Sequence, residues 1–242
     1  MTRQTEWVLV RHGESVGNVA ATRAEMLGAE VIELDTRDAD VELSETGRQQ
    51  ALALAPRLAD LVPAPQVAWV SPYVRAQQTY ALAAGGGPAM APVLTDERLR
   101  DRELGVLDLL TRRGVAARHP EEAARRAHLG KYYHRPPGGE SWADVSLRLR
   151  SFLRDAADTD ADIALVVAHD AIVMLLMSLL VGMDEPTLLD FAARNTVLNA
   201  SVTRVVWTGA RWEVAEFSDV GHLERAGADV TVHPGSPDVE PE

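Results

Sequence analysis

Three short, unbroken apolar runs constrain this chain more than any other feature. They are WVLV at residues 7–10, VAWV at 67–70 and IALVVA at 163–168. A strand with one face in water alternates apolar and polar residues, so a run that is apolar at every position needs cover on both faces. Helical patterns supply that cover. LSETGRQQALALAPRLADL offers Ser44 as an N-cap and an apolar stripe interrupted by Pro56, and SPYVRAQQTYALAA offers Ser71 as an N-cap with Pro72 at the first helical position. ESWADVSLRLRSFLRDAA repeats apolar residues at Val145, Leu149, Phe152 and Leu153. ASVTRVVWTGARWEVAEF predicts two strands around a tight turn at Gly209. Strands alternating with helices predict an α/β fold, a three-layer α/β/α sandwich with a mostly parallel central sheet. The expected organisation is one domain over residues 1–224 and an acidic, disordered tail at 225–242, where HPGSPDVEPE is polar and rich in proline.

Composition removes several functions. The chain has no cysteine, which eliminates disulfides, thiolate metal sites and thiol catalysis together. A formal net charge of −12 disfavours nucleic acid and anionic membrane surfaces as partners. A local basic pocket can still hold a small anion. The longest apolar tract, Ile163 to Met183, is interrupted by His169 and Asp170 at the depth where a membrane span tolerates charge worst. MTRQTEW has no signal-peptide pattern, so a cytoplasmic location is expected.

Ligands of open parallel sheets bind beyond the carboxyl ends of the strands. There the first run ends in Arg11 and His12 and the third ends in His169, while Arg75 opens the helix after the second. Any one of these is commonplace. Together they place two guanidinium forks, suited to phosphate oxygens, beside two imidazoles on one rim. The helix N-terminus at Pro72 adds backbone N–H groups, Gly13 lets the backbone approach a ligand, and Asn18 offers a neutral donor. A neutral imidazole in such a pocket can attack phosphorus and carry the phosphoryl group covalently. No metal and no cofactor is called for.

RHGES with Asn18, LSETGRQQA, SPYVRAQQT and the later strand-end histidine resemble, in order, the motifs of the histidine phosphatase (phosphoglycerate mutase-like) superfamily. The likeness runs to about residue 224 and includes VLNASVTRVVW and FSDVGHL. The resemblance implies that His12 is the phosphoryl acceptor, that Arg11, Arg75 and His169 form the phosphate pocket, and that Asn18 is an accessory contact. The family's general acid is a glutamate four residues before a glycine. In LRDRELG the matching residue is Asp101, one methylene shorter, with Gly105 as the anchor. Glu103 shares a face with Asp101 in an extended segment and is the alternative donor; otherwise it forms a surface ion pair with Arg100 or Arg102.

A second departure is AHDA, where Asp170 stands in place of the family's glycine. Asp170 either helps to keep His169 protonated or, as the favoured expectation, caps the following helix. The His-Asp pair is also similar to metal-dependent HD-type phosphohydrolases, whose metal ligands lie on helices, whereas His169 ends a strand.

Residues 111–135 carry seven basic residues against two acidic, a local charge of +5 in an otherwise acidic chain. In the resembled family this region (residues 106–140) covers the substrate, and a basic lid draws anions in. Glu121 and Glu122 stand four residues before Arg125 and Arg126, so those arginines are assigned to surface pairs. Lys131, Tyr132, His134 and Arg135 are the specificity candidates. Glu140 either contacts substrate or caps the next helix.

The expected activity is therefore hydrolysis of a small phosphorylated substrate through phosphohistidine, without metal, nucleic acid or membrane. The alternatives are a mutase-type phosphoryl transfer and a non-catalytic phospho-ligand module. A homodimer stays open.

Overall fold

The computed structural model describes residues 4–85 and 91–233. Its strands are β1 (Glu6–Arg11), β2 (Val67–Val70), β3 (Val93–Thr95), β4 (Ile163–Ala168), β5 (Val202–Trp207) and β6 (Trp212–Asp219). They form one sheet in the order β3-β2-β4-β1-β5-β6. β3, β2, β4 and β1 pair in parallel, and β5 is antiparallel to both β1 and β6. Only β5 therefore runs against the rest. The three apolar runs are the adjacent strands β2, β4 and β1, buried at nearly every position.

The helices are α1 (Val16–Met26), α2 (Glu45–Ala59), α3 (Val74–Ala84), α4 (Arg112–Arg118), α5 (Pro120–Tyr133), α6 (Trp142–Ala156), α7 (Asp170–Val181), α8 (Glu185–Arg194) and α9 (Gly221–Ala226). The two-residue period of the strands divides the core. Trp7, Leu9, Trp69 and Val166 pack against Leu149 and Phe152 of α6 and Leu175 of α7. Val8, Val10, Val70 and Val167 pack against Leu54 of α2 and Ala76 and Tyr80 of α3. Trp7 and Trp69 stack at 5.8 Å, with Phe152 edge-on to Trp69 at 5.5 Å. Each such side chain, fully buried, contributes about 1.5–3 kcal/mol, so both faces are anchored. The result is the three-layer sandwich that the uninterrupted runs demand. Among the described residues no helix is long and apolar enough to cross a membrane.

Several local expectations need correcting. Ser44 does cap α2, accepting from Gly47 N–H at 3.0 Å. Pro56 sits inside that helix without ending it; it lies in the last turn, and the carbonyl it leaves unbonded belongs to exposed Leu52. Ser71 does not cap α3, which begins at Val74 after Tyr73. Ser71 N–H still continues the sheet, donating to Val167 O at 3.0 Å, and a residue before proline resists the helical region. No helix N-terminus therefore stands at Pro72. Asp170 is not a cap either: His169 is the boundary residue, and Asp170 is the first residue of α7.

The chain beyond residue 224 is not uniformly a loose tail. Gln50 Nε2 donates to Asp229 O and Thr231 Oγ1, and His233 is buried, its Nε2 2.7 Å from Glu14 Oε2. Polar side chains reaching out of α2 and the β1 loop hold this segment, a cause that composition does not reveal. The remainder of the expected tail, 234–242, lies outside the described residues.

Candidate active site

The β1–β4 register pairs Arg11 with Ala168, and His12 N–H donates to Ala168 O at 2.9 Å. The residues that follow, His12 and His169, are thereby fixed side by side, with ring centroids 5.1 Å apart. Ser71, leaving β2 one strand away, bonds His169 Nε2 through its hydroxyl at 2.8 Å. Three neighbouring strand ends thus build one rim, and a pocket of about 350 Å³ opens above it.

His12 Nδ1–H donates to Gly13 O at 2.7 Å, which leaves Nε2 as the lone-pair nitrogen. Arg75 Nε–H points at that nitrogen from 3.3 Å. Burial first, and then the charge of Arg75, the neighbouring His169 and the charge of Arg11, push the His12 pKa well below the ordinary histidine value and keep the imidazole neutral. Burial first, and then Arg75, Arg11 and Arg148, hold His169 neutral. Asp170 does not counter this. Its carboxylate acts on Arg11 instead, and its own pKa is raised by burial. The expectation of a protonated His169 sustained by Asp170 is therefore corrected for the free protein.

Arg11 is 2 % exposed and anchored from behind: Nη1 donates to Val197 O at 2.6 Å and Nη2 to His233 O at 2.8 Å. Its Nε has no partner in the structure. A buried guanidinium donor without an acceptor is costly, and an anion in the pocket would satisfy it. Arg75 is almost equally buried but fully engaged. Besides His12 it reaches Asp38 O and Oδ1 through Nη1, and Asp38 Oδ2 and Asp101 Oδ2 through Nη2.

Asp101 lines the pocket, with Oδ2 3.1 Å from Arg75 Nη2 and 3.3 Å from His169 Nδ1, the latter off the line of a hydrogen bond. Glu103 does not line it; its carboxylate accepts from Tyr73 OH at 3.1 Å and stays 3.9 Å from Arg100. Asn18 lines the pocket, and its Oδ1 accepts from Ser15 N–H and Asn199 Nδ2. Lys131 lines the pocket and lies over the Trp142 ring at 4.5 Å.

The other assignments move. A Cβ on Gly13 would lie 2.5 Å from Gly47 O, so this glycine serves the approach of α2 to the loop rather than the approach of a ligand. Arg135 pairs with Asp144 at the start of α6, and half-buried Glu140 accepts from Arg100, Arg148 and the Glu103 N–H. Neither lines the pocket, and Ser141, not Glu140, caps α6. His134 is buried and bonded to Glu122, which also takes Arg125 three residues further on.

The 106–140 segment is nonetheless part of the wall. Leu110 bridges Val31, and Thr111 Oγ1 donates to Ala29 O at 2.6 Å, so Asp108, Leu109 and Arg112 are held over the site. Sequence reasoning missed Asp38, Asp108, Ser71 as a histidine partner, and Asn199, whose Nδ2 also donates to His12 O. Ser71 carried a misleading helix-cap signal, and Asp38 sits in DTRDAD, where nothing marks it.

The family model described as histidine phosphatase superfamily (branch 1) matches residues 7–220. A "Probable phosphoglycerate mutase" of Erwinia tasmaniensis is 29% identical over 228 residues, 91% of this chain and 96% of the relative. A metal-independent phosphoserine phosphatase of Arabidopsis thaliana is 27% identical over 224 residues, 92% and 85% of the two chains. The solved structure of a mycobacterial glucosyl-3-phosphoglycerate phosphatase in complex with VO₃ matches with a TM-score of 0.69 at 27% identity, covering 89% of this chain and all of that one.

Proposed function

The chain belongs to the histidine phosphatase superfamily (branch 1), and we propose that it is a metal-independent phosphomonoester hydrolase acting through phosphohistidine on a small anionic substrate. The observation that carries this is the state of His12: neutral, buried, and with its Nε2 lone pair at the pocket between two arginines.

In the first step Nε2 attacks phosphorus, the P–Nε2 bond forms and the ester P–O bond breaks. Asp101, as general acid, gives a proton to the leaving alcohol oxygen. Arg11 through Nε, Arg75 and the Asn18 amide hold the phosphoryl oxygens as charge shifts among them. Water then attacks phosphorus, its proton passes to the Asp101 carboxylate, and phosphate leaves with His12 neutral again. His169, held by Ser71, fixes the far side of the His12 ring. Positive charge for the phosphoryl group comes from side chains, which is why no metal enters the scheme. A cytoplasmic location, and a phosphorylated small molecule rather than nucleic acid or membrane as partner, are part of the same proposal.

The test is release of alcohol from an aryl phosphate in EDTA, with a burst equal to the enzyme concentration, and its loss in His12→Ala. Dependence on added metal would overturn the scheme. Transfer of the phosphoryl group to an added alcohol in preference to water would favour the mutase alternative.

A further inference from the structure

Arg75 has five N–H donors, and in the free protein each faces an acceptor: His12 Nε2 at 3.3 Å, Asp38 O at 2.6 Å, Asp38 Oδ1 at 2.9 Å, Asp38 Oδ2 at 3.3 Å and Asp101 Oδ2 at 3.1 Å. Three of the five belong to Asp38. Arg11 contrasts with this, because its Nε has no acceptor at all. Of the two arginines at His12, one awaits an anion and the other already holds one.

The two ends of the Arg75–Asp38 pair are built differently. Arg75 is fixed in α3, with its side chain 5 % exposed and its guanidinium over the Tyr73 ring at 4.9 Å. The Asp38 side chain is 45 % exposed and stands on a single 3-10 turn, Asp38–Asp40, whose first residue has no side-chain cap. Asp38 also lines the pocket. A half-exposed carboxylate on a short turn moves at lower cost than a buried guanidinium on a packed helix.

We propose that Asp38 is a resident competitor for the phosphoryl group: its carboxylate occupies the Arg75 donors in the free protein, and a phosphate reaching His12 must displace it. The consequence is selective. A dianionic phosphomonoester offers three acceptor oxygens and more charge than a carboxylate, and so wins the exchange. A monoanion such as sulfamate or a phosphodiester matches the carboxylate at best. After hydrolysis the returning carboxylate helps to expel orthophosphate, and Asp38 thereby sets both discrimination and product release. This rests on the pocket being the phosphoryl site proposed above.

Binding of orthophosphate and of orthovanadate by the full chain, measured by calorimetry, tests the displacement without any turnover. Asp38→Asn and Asp38→Ala are expected to bind phosphate about tenfold more tightly, the scale of one charge-assisted contact no longer opposed. Their discrimination against a monoanionic diester should narrow by a similar factor. Asp40→Asn, in the same turn but paired with Arg37 and absent from the pocket, should leave the affinity unchanged. A carboxylate that merely positions Arg75 predicts the opposite sign. Unchanged or weaker phosphate binding in both Asp38 variants, at unaltered melting temperature, overturns the displacement even if ester hydrolysis is robust. Tighter binding supports it even if no ester is hydrolysed, and in that case the hydrolase reading alone fails. Absence of phosphate binding in every protein overturns both.

Discussion

Arg75 Nε–H donates toward His12 Nε2 across 3.3 Å, and both side chains are buried. On the proposed scheme, the arginine that takes a phosphoryl oxygen thus also covers the lone pair that attacks phosphorus. The contact requires the imidazole to be unprotonated at Nε2, which agrees with the Nδ1–H bond to Gly13 O on the other side of the ring. In that scheme the nucleophile is ready before substrate arrives, and the arginine need only shift its hydrogen bond from nitrogen to a phosphoryl oxygen.

Asp101 and Glu103 should separate cleanly. Asp101 faces Arg75 and lines the pocket, whereas Glu103 is bonded to the Tyr73 hydroxyl outside it. Asp101→Asn is expected to slow hydrolysis of an alkyl phosphate by about 10²–10⁴-fold, the range for loss of a general acid. It should slow p-nitrophenyl phosphate far less, since that leaving group needs no proton. Glu103→Gln should stay near wild type on both. Steady-state kcat with the two esters decides; equal losses on both would remove Asp101 from proton transfer.

How much of this was legible beforehand depends on range. β1, β2 and β4 were readable because full burial writes an unbroken apolar run, and His12 and His169 followed because they end two of those runs. β3 was not readable, since Val93–Thr95 is an exposed edge strand of three residues. Ser71 misled because Ser-Pro before an apolar stripe is a local cap signal, while its actual partner, His169, is 98 residues away. Asp38, Asn199 and His233 reach the site by tertiary contact alone. Arg135 and Glu140 looked available because their partners, Asp144, Arg100 and Arg148, could not be assigned from spacing.

Glu140 carries a stability prediction instead of a specificity one. Its carboxylate, 15 % exposed, takes Arg100 at 2.8 Å, Arg148 at 2.9 Å and the Glu103 N–H at 3.2 Å, and so ties the loop that carries Asp101 to α6. Glu140→Ala leaves Arg148, itself only 10 % exposed, without its carboxylate. The loss should be about 3 kcal/mol in urea denaturation, typical of breaking a largely buried pair. KM for a phosphate ester should change little, because Glu140 lines no part of the pocket.

Gly47→Ala should damage fold and site together. A Cβ there would lie 1.9 Å from Glu14 O and 2.8 Å from Glu14 N, both backbone atoms of the loop that carries His12. No side chain can swing aside to relieve this. The expected cost is about 3 kcal/mol, the upper part of the usual range for overpacking. Since the loop must shift to relax, kcat should fall as well; urea denaturation and turnover on one preparation would show a loss of either alone to be inconsistent with this packing.

Acid should weaken the fold in a window set by histidine. His12, His169 and His222 are buried, and burial, the leading cause for each, lowers their pKa in the folded chain, His222 from 6.5 to about 4. Below 6.5 the unfolded chain takes up protons that the folded chain refuses, so folding stability falls as pH drops, by about 1.4 kcal/mol per pH unit for each histidine. The contribution of His222 ends near its folded value of about 4, after a total of about 3 kcal/mol. Asp38, Asp108 and Asp170 act in the opposite sense, because burial raises their folded pKa values and they add stability as pH falls through them. Asp144 enters only later: its pKa is depressed to about 2, chiefly by Arg135, so its contribution is present above 3.8 and is lost between there and about 2. His222 isolates the histidine window, since it is buried and lies outside the pocket. Unfolding free energies of wild type and His222→Leu from pH 7.5 to 4.5 should differ in slope by about one proton. Parallel curves would mean that His222 keeps its ordinary proton affinity in the folded chain.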